Sequence, residues 1–490
     1  MAKRTTVIDI GSNSVRMIVY EKTSRFAFHI LHEARAKVRL SEEAYQNDGN
    51  LQETPMQRTY DALENFITIS ESLKSRKTLC VATSALRDAP NKKEFLQKVS
   101  KGLKLNIKII DGSREAYLGA MACINLLPKQ DSAISIDIGG GSTEFSLINN
   151  QNIKNTISLE LGTVRLKELF FDKDKIKDAI EYIDSKLDVL VDLDAKTIIG
   201  IGGTFRAISS AIMKNTNYPL KKLHSFESTS LDFQNFLNAI LDANDDELRG
   251  LNIKDDRFDI IKPGALILSR LLHKFASVTN LITSGVGVRE GVYLSDLLRN
   301  SKDRFPTNYN ISVRYLIDKH IDDNNFSNQL NQLSKNIFDI THKHLNLDKS
   351  YRYELSTASK LYPAGSNIHY YSQNKNSYYL IQSALEYGFT HKQIQLISTL
   401  NRYADKKSPS ISHTQKYKDI LPNKDDLDLL SYMISLSIAL LSHKPRNIDF
   451  NISFDDETLN IQSKNNLFLA KEAVKRLKEN RMLKVKFLNF

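Results

Sequence analysis

A chain of 490 residues is too long for one ordinary core and predicts two to four domains. With 41% hydrophobic and 26% charged residues, ten prolines and two cysteines lacking CxxC spacing, it is neither disordered, collagenous nor disulfide-stapled, and Cys80 and Cys123 read as buried free thiols in a reducing compartment. The formal charge of +11 is uneven: residues 1–300 hold 41 Lys/Arg against 38 Asp/Glu, and residues 301–490 hold 27 against 19, so the basic surplus of +8 in the second part suits either a solvated surface or a polyanion partner.

From the N-terminus, only three or four apolar residues separate the charged start from Asp9, which is no signal-peptide core, and the expected location is the cytoplasm. Short β-branched runs follow (TTVIDI, RMIVY, KTLCVATS, NIKIID, SAISIDI, FSLI, TIIGIGG, NLITSG). They alternate with helical stretches such as residues 58–73 and 92–101, an α/β pattern over about 300 residues. A polar, Pro-containing segment at residues 302–310 marks a boundary. Beyond it the chain is rich in Asn, Lys, Leu and Ile at helical spacing, with strand signals only near the end (NIDFNISF, TLNIQS). The apolar run at residues 429–441 is 13 long with three serines, short for a membrane span and ordinary for a buried helix. The expected domains are residues 1–125, 126–305 and 306–490.

One internal repeat stands out. VIDIGSNSVRMIVY (residues 7–20) and SIDIGGGSTEFSLI (residues 135–148) align at a shift of 128, matching Ile8, Asp9, Ile10, Gly11 and Ser14 to Ile136, Asp137, Ile138, Gly139 and Ser142. In each copy a strand ends on Asp, a Gly/Ser turn follows and a second strand begins, which predicts two homologous halves facing a cleft. Such turns suit phosphate, because glycine lets backbone N–H groups approach and Ser or Thr adds a hydroxyl. Turn one offers Ser12, Asn13, Ser14 and Arg16. Turn two offers Gly139, Gly140, Gly141, Ser142 and Thr143. The carboxylate at the edge of each turn could hold Mg²⁺ beside phosphate oxygens. A third turn, Gly202, Gly203 and Thr204, follows strand TIIG and opens a helix whose N–H groups would point at an anion or simply close a tight turn.

At these residues the chain resembles the exopolyphosphatase/guanosine-pentaphosphate phosphohydrolase (Ppx/GppA) family of the sugar-kinase, chaperone and actin superfamily. Eight blocks carry the resemblance in order: VIDIGSNSVRMIV, VATSALRDAPN, IIDGSREAYLGA, SIDIGGGSTEF, SLELGTVRLKELF, GIGGTFRAI, RFDIIKPGALIL and SGVGVREGV. The resemblance implies two ribonuclease-H-like (actin-like) α/β half-domains around a cleft, a mostly helical HD-like C-terminal domain, and hydrolysis of the terminal phosphate of inorganic polyphosphate or the 5′ γ-phosphate of pppGpp (guanosine pentaphosphate, giving the tetraphosphate). It implies Glu115 as the base that activates water, where the residues alone suggest only an acidic helix start. It implies Asp137 and Glu144 as organisers of Mg²⁺ and water, Asp9, Ser12, Asn13 and Arg16 as phosphate contacts, and Arg87 and Arg257 as further phosphate ligands. Arg165, Arg206 and Arg289 also lie in the blocks, as phosphate contacts or as structural partners of carboxylates such as Glu160 and Glu290. A homodimer is implied by the resemblance alone.

The C-terminal part departs from the HD pattern. LYPAG (residues 361–365) stands where LHDxG would be, and NKNSYYLI (374–381) and NRYADKK (401–407) stand where His-containing segments would be. His369, His391 and His413 are not at metal spacing, so no metal site is expected there, and the basic surplus suits the distal part of a polyanion. No membrane and no nucleic-acid partner is expected, since helix-turn-helix, zinc and RNA-binding blocks are absent. Two other classes compete with the hydrolase. A superfamily phosphotransferase would need a nucleoside pocket and a base for an acceptor hydroxyl. A non-catalytic sensor of alarmones or polyphosphate would be expected to have lost the base or a turn.

Overall fold

A computed structural model describes residues 3–191, 194–405, 408–455, 457–477, 480 and 482–488; Lys406 and Lys407 of the NRYADKK segment lie outside them. The chain divides into two compact units, one ending at Tyr309 and the other starting at Asn310. The break falls inside the polar segment expected to carry it, four residues beyond the expected boundary at 305/306.

The first unit holds two sheets. One runs β3-β2-β1-β4-β5, from β1 (Arg4–Ile10), β2 (Val15–Lys22), β3 (Phe28–Ala36), β4 (Thr78–Ala82) and β5 (Ile107–Ile109). The other runs β10-β11-β9-β6-β7-β8, from β6 (Ser132–Ile138), β7 (Thr143–Asn149), β8 (Asn152–Leu159), β9 (Thr197–Ile201), β10 (Phe226–Thr229) and β11 (Asn280–Thr283). In each, an antiparallel meander (β1–β3, β6–β8) is extended by strands parallel to its first member (β4 and β5; β9 and β11). The 14-residue repeat is therefore the visible part of a repeated topology, the ribonuclease-H-like arrangement expected from the resemblance.

Apolar side chains of β1 and β2 (Ile8, Ile10, Val15, Met17) pack on Leu63 and Phe66 of the helix Glu53–Ser72 and on Phe95 of the helix Lys92–Leu103. In the second lobe Ile134, Ile136 and Phe145 pack on Phe205, Ile208 and Leu268. Each core is buried away from the cleft, which leaves the strand ends carrying Asp9 and Asp137 free for polar work.

The half-domain boundary expected at residue 125 falls within one helix. The helix Gly112–Leu126, which carries Glu115, packs against β7 and β8 of the second sheet and against the helix Val288–Leu297. Its face of small residues (Ala116, Gly119, Ala120, Cys123) permits close approach on both sides, and Ser146 Oγ donates to Ala116 O at 3.0 Å. Glu115 thus sits on a helix that packs against the second sheet.

In the second unit the apolar run near residue 430 lies in the helix Lys424–Leu440, with Leu430, Met433, Ile434 and Leu440 fully buried. A three-stranded sheet, β12 (Asn451–Asp455), β13 (Thr458–Gln462) and β14 (Lys484–Leu488), closes this unit. His413 is buried, its Nε2 2.9 Å from Thr399 Oγ1, and His391 is buried at the start of the helix His391–Tyr403. Among the described residues no helix is long and apolar enough to cross a membrane. Cys80 and Cys123 are free and buried.

Candidate active site

The two repeated turns close in the same way. Gly11 N donates to Ser14 O at 3.2 Å, and Gly139 N to Ser142 O at 2.9 Å. They also face each other. A Cβ on Gly140 would stand 2.9 Å from Ser12 Cβ, and one on Gly141 would stand 2.5 Å from Tyr45 Oη and 2.8 Å from Ser84 Oγ. Turn two can seat against the first lobe only because these positions lack side chains. At the third turn Gly202 has φ +90°, and a Cβ there would meet Asp137 Oδ1 at 2.5 Å. The helix Gly202–Asn215 thus begins directly against that carboxylate.

Strand register decides the chemistry of each turn. Asp9 pairs across β1/β2 with Arg16, whereas Asp137 pairs across β6/β7 with Glu144. The same position of the repeat carries a cation in the first lobe and a carboxylate in the second.

These elements surround a cavity of about 130 Å³. It is lined by Asp9, Ser12, Asn13, Arg16, Glu115, Asp137, Gly139, Gly140, Ser142, Glu144, Gly202, Gly203, Thr204 and Arg257, as well as Arg206 and Arg289. Two expected residues stand elsewhere. Arg87 is not in the lining; its Nη1 donates to Glu115 Oε2 at 2.9 Å. Gly141 is turned toward Tyr45 and Ser84, and its carbonyl accepts from Arg165 Nε at 3.0 Å. The lining also includes Arg35, Thr83, Ser84 and Thr163, which the sequence reading passed over. Thr83, Ser84 and Thr163 sit inside recognised blocks, so their positions were signalled; Arg35, in a charged stretch of β3, carried no signal. Of the arginines with two readings, Arg289 pairs with Glu33 at 2.7 Å rather than with Glu290, and Arg206 donates to Ser284 O at 2.9 Å. Arg165 lies 3.8 Å from Glu160.

The charges are those of a site made for a ligand. Burial raises the proton affinity of Asp9 despite Arg16 and Arg289, and pushes Asp137 to about 6. Burial, then Asp137, pushes Glu144 to about 7, although Ser158 Oγ donates to it at 2.9 Å. Glu115 is raised well above the ordinary range by burial and by Glu144, with Arg87 opposing. On the cationic side, burial and then Arg289 and Arg206 lower Arg16 to about 10, and burial followed by Arg35 lowers Arg257. No side-chain hydrogen bond or ion pair among the described residues engages Arg16, Arg35 or Arg257. Arginines held close together with no carboxylate in hydrogen-bond range are costly unless an anion joins them. A second cavity of about 280 Å³ shares these three with the cleft and adds Lys214 and Lys254; seven cations line it against one carboxylate, Glu33.

Among the described residues no group of three or more His, Cys, Asp or Glu side chains is arranged to hold a metal ion. The carboxylates Asp137 and Glu144, adjacent across the strand pair and without a cationic hydrogen-bond partner, still fit Mg²⁺. That ion is commonly held by one or two carboxylates, waters and the substrate's own phosphates.

The family model for the Ppx/GppA phosphatase family matches residues 18–300, and that for Ppx/GppA phosphatase domain III matches residues 310–488. The chain belongs to the Ppx/GppA phosphatase family. It is 33% identical over 289 residues to the bifunctional 3-dehydroquinate synthase/phosphatase of Fusobacterium nucleatum, covering 55% of this chain and 43% of that protein, so it spans less than half the length of that relative. It is 24% identical over 406 residues to the guanosine-5′-triphosphate,3′-diphosphate pyrophosphatase of Pseudoalteromonas atlantica, covering 80% of this chain and 78% of that one. The Ppx/GppA family member of Aquifex aeolicus superposes with a TM-score of 0.54 at 27% identity, over 61% of this chain and 99% of its own. An exopolyphosphatase from Cytophaga hutchinsonii shares the fold with a TM-score of 0.56 at 24% identity, over 62% and 100%.

Proposed function

We propose that this Ppx/GppA member is an Mg²⁺-dependent phosphoric anhydride hydrolase that removes the terminal phosphate of inorganic polyphosphate, and also the 5′ γ-phosphate of pppGpp. One observation carries the reading. Glu115 is a buried carboxylate of raised proton affinity, fixed by Arg87, in a cleft that also holds Arg16, Arg35 and Arg257 with no carboxylate in hydrogen-bond range. That combination pairs a base with an anion site.

The terminal phosphoryl group would lie between the two turns. Glu115 takes a proton from water as the water oxygen bonds to phosphorus, the bridging P–O bond breaks opposite it, and the shortened chain leaves with that oxygen. The backbone N–H group of Gly140, the Ser142 hydroxyl, and Arg16 and Arg257 neutralise the equatorial oxygens, while Gly139 N–H holds the turn closed on Ser142 O, so the protein contributes mainly positioning and electrostatics. Asp137 and Glu144 would hold Mg²⁺, which supplies charge neutralisation on the phosphate oxygens. The second cavity suits the remaining phosphates.

No aromatic side chain lines either cavity. This favours polyphosphate as the main substrate, since a guanine would have no ring to stack on. It also speaks against a nucleoside-dependent phosphotransferase. A sensor role fits poorly with a base and two turns all in place.

The test is phosphate release with Mg²⁺ from long polyphosphate and from pppGpp, for the wild type and Glu115→Gln. The expected result is turnover of polyphosphate and a loss of at least about a hundredfold in the variant. Near-normal turnover by Glu115→Gln on both substrates removes the base assignment, and no release from either by the wild type leaves the sensor reading.

A further inference from the structure

Arg165 opens a question that the phosphate cleft does not answer. It lies in the first turn of the helix Thr163–Leu169, whose leading N–H groups bind turn two: Thr163 N donates to Gly139 O at 3.0 Å and Val164 N to Gly140 O at 2.8 Å. Its side chain is 13% exposed and spans both lobes. Nε donates to Gly141 O at 3.0 Å, Nη2 lies 3.7 Å from Asp88 Oδ2, and the guanidinium carbon sits 4.6 Å from the centre of the Tyr45 ring. Gly141 belongs to turn two; Asp88 and Tyr45 belong to the first lobe.

Asp88 continues the path. Its Oδ1 lies 3.3 Å from Arg87 Nε, and Arg87 Nη1 donates to Glu115 Oε2 at 2.9 Å. One carboxylate therefore stands between the arginine that holds turn two and the arginine that holds Glu115. Neither Arg165 nor Asp88 lines the cleft.

We infer that Arg165 is a positioning residue, which through Asp88 and Arg87 ties the placement of Glu115 to the seating of turn two on the first lobe. The inference rests on Glu115 being the base. Without Arg165, Arg87 is the only cation left on Asp88 among the described residues, and its guanidinium is drawn off Glu115, while the Gly141 carbonyl loses its donor. A base displaced by a fraction of an ångström relative to the phosphoryl group costs rate rather than binding.

Steady-state hydrolysis of long polyphosphate with Mg²⁺ decides it, for the wild type, Arg165→Gln, Arg165→Lys, Asp88→Ala and the double variant Arg165→Gln/Asp88→Ala, with Glu115→Gln as control. Arg165→Gln and Asp88→Ala should each lower kcat by about tenfold or more with KM within about twofold. The double variant should be no slower than the poorer single, because one broken link leaves nothing for the second change to break. Arg165→Lys should recover part of the loss, since an ammonium keeps the charge near Asp88 and Tyr45 but cannot serve three partners at once. Losses that multiply in the double variant, a loss that falls on KM, or an unchanged kcat in Arg165→Gln overturn the link. If Arg165→Gln does not fold, Asp88→Ala and Arg165→Lys carry the same kcat-only expectation. Normal turnover by Glu115→Gln would instead remove the base assignment itself, while an inactive Glu115→Gln beside a normal Arg165→Gln removes only the link.

Discussion

Five carboxylates line one cleft, and two of them have a consequence that can be measured without any substrate. Glu144 is pushed from an ordinary 4.5 to about 7 and Asp137 from 3.8 to about 6, both first of all by burial. Folding therefore favours the protonated acids. At these two groups the folded state binds protons that the unfolded chain has already lost, so their contribution to stability is fully present at low pH and is lost as pH rises from about 4 through about 7. We expect the apoprotein's melting temperature to decline across that window, followed by calorimetry. Glu144→Gln, which can keep an acceptor for the Ser158 hydroxyl, should flatten the decline and stabilise the apoprotein at pH 7.5 by on the order of 1–3 kcal/mol. The same variant should lose hydrolysis. A melting temperature equally pH-dependent in the variant would show that Glu144 is not the group responsible. At this scale the sequence was legible wherever a motif carried the residue: both aspartates, Glu115 and Glu144 stand in blocks that could be read directly. The block carrying Arg87 implies a phosphate contact and says nothing of which protein neighbour its guanidinium meets; the fold sets it on Glu115.

At the scale of elements, the turns work because backbone replaces side chain at their contacts. Gly162, just before the helix Thr163–Leu169, shows how little room remains, since a Cβ there would run into the backbone of Gly140 and Gly141. Gly162→Ala should push turn two off its seat and lower kcat by at least about tenfold, with the far-ultraviolet circular dichroism unchanged. Wild-type kinetics in that variant would show that turn two tolerates the shift. The hairpins β1/β2 and β6/β7 were readable from the repeat, because strands buried on both faces demand apolar runs and phosphate turns demand small residues. The strands β3, β8 and β10 were not. Each lies at a sheet edge with a solvated face, and FHILHEARA or NIKNTISL reads as polar chain. The helix carrying Glu115 was readable as a helix, but its partner sheet was not, since an apolar face does not say what covers it.

For the whole molecule, charge is the dominant feature. The second cavity gathers Lys214 and Lys254 with five arginines, and residues 301–490 carry the larger basic surplus. Replacing Lys214 and Lys254 together by Ala should raise KM for long polyphosphate by about tenfold while changing kcat little, because both stand outside the cleft that holds the reacting phosphate. Added salt should raise KM more steeply for long than for short polyphosphate. A KM indifferent to salt for both would show that the basic surplus is only a solvated surface.

The sequence by itself determined that two homologous α/β halves carry paired Gly/Ser turns, that each turn is edged by a carboxylate, and that a mostly helical basic region follows. These are local matters: strand periodicity, turn chemistry and a repeat within 14 residues, all written in consecutive positions. Only the tertiary structure decided that Arg16, Arg35 and Arg257 converge on one cleft with no side-chain hydrogen bond among the described residues, and that Arg87 holds Glu115. Those relations join residues up to some 240 positions apart, and they depend on how two lobes close on one another, which no run of neighbouring residues records.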